Sequence, residues 1–200
     1  MKASMIVVLV LVVLFFLGLG MVGCGVSIYN GMVTKDETVN TAWSQVENQY
    51  QRRFDLIPNL VEIVKGYATH EKSLFIEVAQ ARASVGSMKL TPEALKDPKA
   101  FSNFQKAQDG LSSVLSRLMM VTENYPTLKA NEGFLKLQSS LEETENGIAN
   151  ERRKFNITAQ DYNTTIRRFP ASVFAGMFSF KERPYFQADE AAKHAPKVKF

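Results

Sequence analysis

The fold is decided by the stretch Trp43-Ser-Gln-Val-Glu-Asn-Gln-Tyr-Gln-Arg-Arg-Phe-Asp-Leu-Ile-Pro-Asn-Leu-Val61. Apolar residues recur at every third or fourth position on both sides of it, a period typical of amphipathic helices. Pro58 interrupts the pattern, because a proline inside a helix removes a backbone donor and clashes with the preceding turn. Asp55 is suited to cap a helix that restarts there. We therefore predict a helix before Pro58, a tight joint, and a second helix over about residues 58–85.

Two further helices are predicted downstream. Asp97 followed by Pro98 is a favourable helix start, and this third helix ends before Pro126. Asn131 is suited to cap a fourth helix that runs to about Arg168. Alternating apolar and polar residues, the pattern of a half-buried strand, are absent from the sequence that follows the first apolar segment. The predicted fold is all-α: an N-terminal membrane helix followed by an antiparallel four-helix bundle with long, coiled-coil-like helices.

The N-terminal segment is uncharged over residues 3–29 and is long enough to span a bilayer. Two interpretations stay open for it. It is an uncleaved transmembrane helix, or it is a lipoprotein-type signal, because Met21-Val-Gly-Cys24 resembles the motif in which the cysteine becomes lipidated. Either way the chain divides into an anchor (residues 1–28), a bundle (29–186) and a tail (187–200) that we expect to be disordered.

Charge asymmetry sets the orientation of a single-pass anchor only weakly here. Lys2 is the only charge before the apolar run, and Lys35 on the other side is followed at once by Asp36 and Glu37. The signal-like layout favours export of the C-terminal part. We expect a cell-membrane protein with a periplasmic or extracytoplasmic bundle, with its sidedness left open.

Composition excludes several classes of function. The net charge of +4 is spread among interleaved acidic and basic residues, which does not favour nucleic-acid binding. The single cysteine cannot form an internal disulfide, and His70 and His194 are the only histidines. The sequence contains no nucleophile elbow, phosphate loop or paired zinc motif. We therefore predict no enzymatic activity, no cofactor and no metal.

Charged residues occur at two places on the apolar faces of the predicted helices, which we call their seams. Asp36 and Arg53 fall on the seam of the first helix, so they either reach water at its ends or have buried partners. The fourth helix carries Glu145, Glu151 and Arg152 in a region where few apolar residues lie on its seam. Arg53 is a candidate partner for Glu145 or Glu151, and these four residues form a predicted buried polar layer.

The segment after the fourth helix is rich in aromatic residues. A short helix opened by Pro170 would place Phe174, Met177 and Phe178 on one face. Since four antiparallel helices return the chain to its starting side, this face would lie close to the bilayer. These three residues are therefore predicted to face the membrane, or alternatively to plug the open end of the bundle.

Long ordered motifs make residues 29–186 resemble the LemA family of bacteria. The motifs that carry the resemblance include Ala42-Trp43-Ser-Gln-Val-Glu-Asn48, Asp55-Leu-Ile-Pro-Asn-Leu-Val61, Lys65-Gly-Tyr-Ala68, Leu128-Lys-Ala-Asn131 and Ile166-Arg-Arg-Phe-Pro170. The resemblance implies a membrane segment followed by an antiparallel four-helix bundle, without an established molecular function or catalytic residues. It also implies a cytoplasmic bundle, opposite to the orientation favoured above.

Two functions fit these observations best. The first is a membrane-tethered helical scaffold or interaction protein of the bacterial cell envelope, with an unidentified protein partner. The alternative is an accessory or regulatory subunit of a membrane enzyme such as a protease. A third hypothesis, an enzyme whose site lies in the polar layer, lacks a recognisable nucleophile or substrate pocket.

Overall fold

A computed structural model describes residues 2–88, 91 and 93–187 of the chain. The helices are α1 (Lys2–Tyr67), α2 (Lys72–Gly86), α3 (Pro98–Thr122), α4 (Pro126–Lys129), α5 (Glu132–Arg167) and α6 (Ala171–Met177), with a 3₁₀ turn at Ala94–Lys96. Within these residues the chain contains no β-strand. The all-helical class and the long apolar N-terminal helix are therefore confirmed.

The predicted joint at Pro58 is wrong, because α1 passes through this residue and ends only at Tyr67. Ile57 and Leu60, on either side of the proline, are both buried in the core. Burial of this seam outweighs the backbone hydrogen bond that the proline removes. The chain instead reverses at residues 68–71, where the Ala68 N–H donates to the Val64 carbonyl at 2.8 Å. Asp55 thus lies within a helix and caps nothing.

Replacing Pro58 with alanine is expected to raise the free energy of unfolding by about 1–3 kcal/mol, because the new N–H can donate to the Phe54 carbonyl. Urea unfolding of the full chain in detergent micelles, followed by circular dichroism, measures this change. The neighbouring Asn59→Ala is the control, since it alters an exposed side chain without adding a backbone donor. A loss of stability in Pro58→Ala would instead show that the bundle needs the proline.

Three long helices form the body of the bundle. α5 runs antiparallel to α1: Asn131, its N-cap, donates to the Tyr67 hydroxyl at 3.1 Å, while Lys35 pairs with Asp161 near the other end. α3 runs parallel to α1, because Trp43 packs on Phe101 and, further along both helices, Arg53 donates to Ser112.

The fourth position of the bundle is shared between two shorter elements, which the sequence did not predict. α2, with only 15 residues, packs on α3 beside the half of α1 that lies away from the N-terminus. Residues 178–187 cover the other half in a non-helical conformation. Phe186, for example, lies against Trp43 with a ring-centroid distance of 6.1 Å.

This arrangement produces two cores with different chemistry. An aromatic core lies under residues 178–187 and includes Trp43, Tyr50, Phe101, Phe104, Phe155 and Phe186. An aliphatic core lies under α2 and includes Ile57, Leu60, Val64, Leu74, Leu118 and Phe134. Arg53 lies between them in the sequence of α1, and its buried charge separates the two apolar clusters.

Two of the three predicted helix caps are confirmed, those at Asp97 and Asn131. The Asp97 side chain accepts from the Lys99 N–H at 2.8 Å, and Pro98 occupies the first position of α3. The Asn131 side chain accepts from the Phe134 N–H at 2.9 Å and starts α5. These side chains satisfy backbone donors that have no partner within the helix itself, and so they fix where α3 and α5 begin.

The N-terminal part of α1 projects beyond the bundle. Its side chains from Leu11 to Leu17 are between 47% and 66% exposed, although all are apolar. The first buried residue along the described part of α1 is Met32. Among the described helices, α1 is the one that is long and apolar enough to cross a membrane.

Candidate functional site

The Arg53 guanidinium is the centre of a polar layer inside the bundle. Its side chain is 1% exposed and lies 3.0 Å from the Glu145 carboxylate, whose own side chain is 38% exposed. Arg53 also donates to Ser112 Oγ at 2.5 Å and to the Gln108 side-chain oxygen. The predicted neighbour Glu145 therefore lies beside Arg53, together with two α3 residues that the sequence analysis did not single out.

The other two predicted members of the layer lie elsewhere. Glu151 pairs with Lys154 on its own helix at 2.7 Å and makes no described contact with Arg53. Arg152 donates to the Tyr50 hydroxyl at 2.6 Å and to Asp109 at 2.9 Å. Burial raises the pKa of Tyr50, although the charges of Arg152 and Arg53 partly oppose this rise. Arg152 thus connects α5 to α1 and α3 in a second set of hydrogen bonds. It adjoins the first set at Tyr50, whose ring centroid lies 5.2 Å from the Arg53 guanidinium carbon and 5.5 Å from that of Arg152.

Replacing Glu145 is expected to lower the free energy of unfolding more than replacing its partner Arg53. Glu145→Leu should cost about 2 kcal/mol, because the buried Arg53 loses its counter-charge, whereas the half-exposed Glu145 can be solvated when Arg53 is removed. The double variant Arg53→Met/Glu145→Leu should therefore be more stable than Glu145→Leu alone. Urea unfolding of both single variants and the double variant measures the coupling.

Glu151→Leu provides the matched control for this cycle, since it removes a carboxylate from the same helix that does not touch Arg53. Its cost should add to that of Arg53→Met. Additive costs for the Glu145 pair as well would show that the contact contributes nothing to stability.

A third set of polar contacts holds residues 178–187 against the bundle, and sequence reasoning did not find it. The Arg183 side chain is fully buried and donates to Asp36 through Nε at 3.1 Å and Nη2 at 2.7 Å. Asn163 accepts from the Arg183 N–H and donates to its carbonyl, both at 2.8 Å. Asp36 therefore has a buried partner, as one of the two open interpretations proposed.

Tyr162 lies beside this set of contacts. Burial raises the pKa of its phenol to about 12, the negative charge of Asp36 adds to the rise, and Arg183 opposes it. The phenol therefore stays protonated and donates to the Lys181 carbonyl at 3.0 Å. All these groups are engaged with one another, so their arrangement fixes helix register and chain path rather than presenting a free acid or base.

The remaining predicted site residues lie on or near the apolar part of α1. Cys24 is exposed on this helix. Phe174 of α6 packs toward Gly25 of α1, while Met177 and Phe178 are exposed. Among the described residues, no group of three or more His, Cys, Asp and Glu side chains is placed to hold a metal ion. Most of the predicted tail, residues 188–200, lies outside the described residues; Gln187 exchanges hydrogen bonds with Gln105.

The fold defines a class of all-helical proteins that carry a bundle on one long, partly apolar N-terminal helix. The chain belongs to the LemA family, whose family model matches residues 42–200. The resemblance stated from the sequence motifs is thus confirmed. The match extends past residue 186, where the motifs recognised in the sequence end.

Two kinds of curated relative resemble the chain. "Magnetosome protein MamQ" of Magnetospirillum gryphiswaldense is 31% identical over 179 residues, covering 82% of this chain and 66% of the relative. "Magnetosome protein MamQ 2" of Paramagnetospirillum magneticum gives the same values. "Protein LemA" of Metamycoplasma hominis is 22% identical over 164 residues, covering 80% of this chain and 69% of the relative. The chain thus spans just under two thirds of the length of the MamQ proteins.

Proposed function

We propose that this protein is a membrane-tethered helical scaffold that presents its bundle to a protein partner in the bacterial cell envelope. The observation that carries the proposal is the continuity of α1. One helix of 66 residues supplies both the exposed apolar segment and, from Met32 onward, buried core residues of the bundle. The bundle is thereby joined to its anchor without a flexible linker, an arrangement suited to holding a binding surface at a set position.

The internal charges support a scaffold over an enzyme. Among the described residues, the two buried arginines and the partly buried Arg152 are each paired with a carboxylate: Arg53 with Glu145, Arg183 with Asp36 and Arg152 with Asp109. A catalytic acid or base must reach a substrate, whereas these groups are used to hold helices to one another. We therefore infer that the protein is not an enzyme and that its function is carried by its surface.

The same helix supports our proposal that the protein is held in the cell membrane by a single-pass N-terminal anchor. The side that holds the bundle is proposed to be extracytoplasmic, because Lys2 and the apolar run have the layout of an export signal. Cys24 is the proposed lipidation site if the anchor is cleaved. Intact mass measurement of the membrane-extracted protein distinguishes the full chain from one that begins at a lipidated Cys24.

Photo-crosslinking in cells tests the scaffold function. A photoreactive amino acid is placed singly at exposed apolar positions of the bundle, namely Ile76, Met120, Leu135 and Ile157. We expect one membrane protein to be crosslinked at adjacent positions in the full chain. The same adduct should be lost when residues 2–22 are deleted while circular dichroism shows the bundle still folded.

Two outcomes would contradict this function. One is the absence of any adduct at all four positions, and the other is an adduct that forms equally well without the anchor. If the partner proves to be a membrane protease or another enzyme, the chain is an accessory subunit of it, which is the alternative stated from the sequence.

A further inference from the structure

α6 packs directly on the part of α1 where the apolar segment meets the bundle. Two ring atoms of Phe174 lie 3.1 and 3.2 Å from where a Cβ on Gly25 would stand, so the missing side chain permits this close approach. The Phe178 ring lies edge-on to Tyr29, with 4.9 Å between the ring centroids. α6 is thus held beside residues 25–29 of α1.

The outer surface at this level is apolar on both helices. Val173, Met177 and Phe178 are each more than half exposed, and so are Met21, Val22 and Val26 of α1. We name these six residues the collar. Four of them, Met21, Val22, Val26 and Phe178, line an apolar pocket of about 450 Å³ between α1 and the segment that carries α6. Apolar patches of this kind are uncommon on surfaces that face only water and mark contact with a membrane or another molecule.

The position of the collar along α1 coincides with the edge of a bilayer. A helix needs about 20 residues to cross the hydrocarbon layer. The chain is uncharged between Lys2 and Lys35, and Ser4 and Ser27 are the only hydroxyl side chains before Tyr29 and Asn30. A membrane-spanning segment of about 20 residues placed anywhere within residues 3–28 therefore ends between residues 22 and 28. These are the turns of α1 on which α6 is packed.

The charges around α6 also favour contact between this surface and a membrane. Arg167 and Arg168 precede the helix and Lys181 follows it, all three exposed, and no acidic residue lies between Arg167 and Lys181. The nearest carboxylate in the sequence, Glu182, lies 3.7 Å from Arg167. Apolar side chains flanked by cations are suited to the headgroup layer of a membrane that contains anionic lipid.

We propose that the collar is inserted in the lipid headgroup layer, so that α6 acts as a second membrane contact beside α1. Two contacts set the depth and tilt of the bundle, which a single helix leaves free. The inference rests on the proposed tethering through α1. In the cleaved form, which would lack Met21 and Val22, the lipid chain on Cys24 would enter the bilayer next to Gly25, and Val26 and the residues after Pro170 would still make the contact.

Spin labels on the full chain test this inference. A nitroxide is attached to Met177→Cys in a Cys24→Ser background, and the protein is reconstituted into vesicles of three parts zwitterionic and one part anionic lipid. Met120→Cys is the matched control, because Met177 and Met120 are 71% and 70% exposed in the structure but lie at different ends of the molecule. Accessibility to oxygen, which concentrates in lipid, and to a nickel chelate, which stays in water, is measured for each.

We expect the label at residue 177 to be accessible to oxygen and shielded from nickel, and the label at residue 120 to show the reverse. Nickel accessibility at residue 177 equal to that at residue 120 would overturn the inference. Low accessibility to both reagents at residue 177 would also overturn it, since the collar would then be covered by a second copy or another protein.

Flotation of the same samples separates this inference from the proposed tethering. If the protein floats with the vesicles but residue 177 lies in water, tethering stands and the collar contact fails. If the protein does not float, both fail. In addition, vesicles without anionic lipid should raise nickel accessibility at residue 177, and Arg168→Gln should do the same in anionic vesicles.

Discussion

Replacing Trp43 with alanine is expected to lower the free energy of unfolding by about 3–5 kcal/mol, the range for truncating a buried aromatic side chain. The Trp43 side chain is 4% exposed. Its ring centroid lies between 5.5 and 6.1 Å from those of Phe101, Phe104, Phe155 and Phe186. The substitution thus leaves a cavity where α1, α3, α5 and residues 178–187 meet. Urea unfolding of the full chain in micelles, followed by circular dichroism, measures the loss.

Two further variants show whether the loss comes from packing. Trp43→Phe should cost about 1 kcal/mol, because it keeps an aromatic ring and the indole N–H has no hydrogen-bond partner among the described residues. Phe169→Ala removes a ring that is 84% exposed and should change stability by less than about 0.5 kcal/mol. If Trp43→Ala costs less than about 1 kcal/mol, the indole is not a core residue and is better explained as part of a partner surface.

The second large effect is expected at the pair formed by Asp36 and Arg183. Asp36→Leu should cost about 3–5 kcal/mol, because it removes the carboxylate that accepts two hydrogen bonds from the fully buried Arg183 guanidinium. The double variant Asp36→Leu/Arg183→Met removes both charges and should be more stable than Asp36→Leu alone. Additive costs in the double variant would reject a coupled pair.

Fluorescence provides an independent readout of this pair. Trp43 is the only tryptophan, and Phe186, three residues after Arg183, stacks on it. If Asp36→Leu releases residues 178–187, Trp43 becomes exposed and its emission shifts to longer wavelength. Lys35→Leu is the neighbouring control, because the ion pair it removes, with Asp161, is exposed and does not involve this segment. An unchanged emission in Asp36→Leu would show that the segment stays in place without the ion pair.

Much of the fold follows from local sequence patterns. The apolar period locates α1, α3 and α5, and the caps at Asp97 and Asn131 locate two of their starts, because both signals depend only on nearby residues. Pro58 misleads for the opposite reason. Its local cost is real, but it is outweighed by burial against helices that are distant in sequence.

The polar contacts, too, could be predicted only where local sequence patterns indicate which side chains face the core. The sequence narrowed the partner of Arg53 to Glu145 or Glu151, because all three lie on helices whose apolar period shows which side chains face the core. It could not choose between the two carboxylates. Arg183 lies in a segment without periodicity, and its partner Asp36 is 147 positions away. The sequence did show the charge of Asp36 on the apolar face of the first helix, which allowed a buried cation as its partner but did not indicate which one.

The late position of residues 178–187 in the chain has a consequence for folding kinetics. α1 leaves the ribosome first, yet its contacts with this segment close a loop of nearly the whole bundle, and long-range contacts slow folding because chain entropy is lost before they form. The aliphatic core can be completed earlier, since all of its members precede residue 142. During synthesis, then, Trp43 and its neighbouring phenylalanine rings stay uncovered until residues 178–187 emerge. A chain terminated after Met177 would leave these aromatic rings permanently exposed, as an apolar surface that chaperones and proteases recognise.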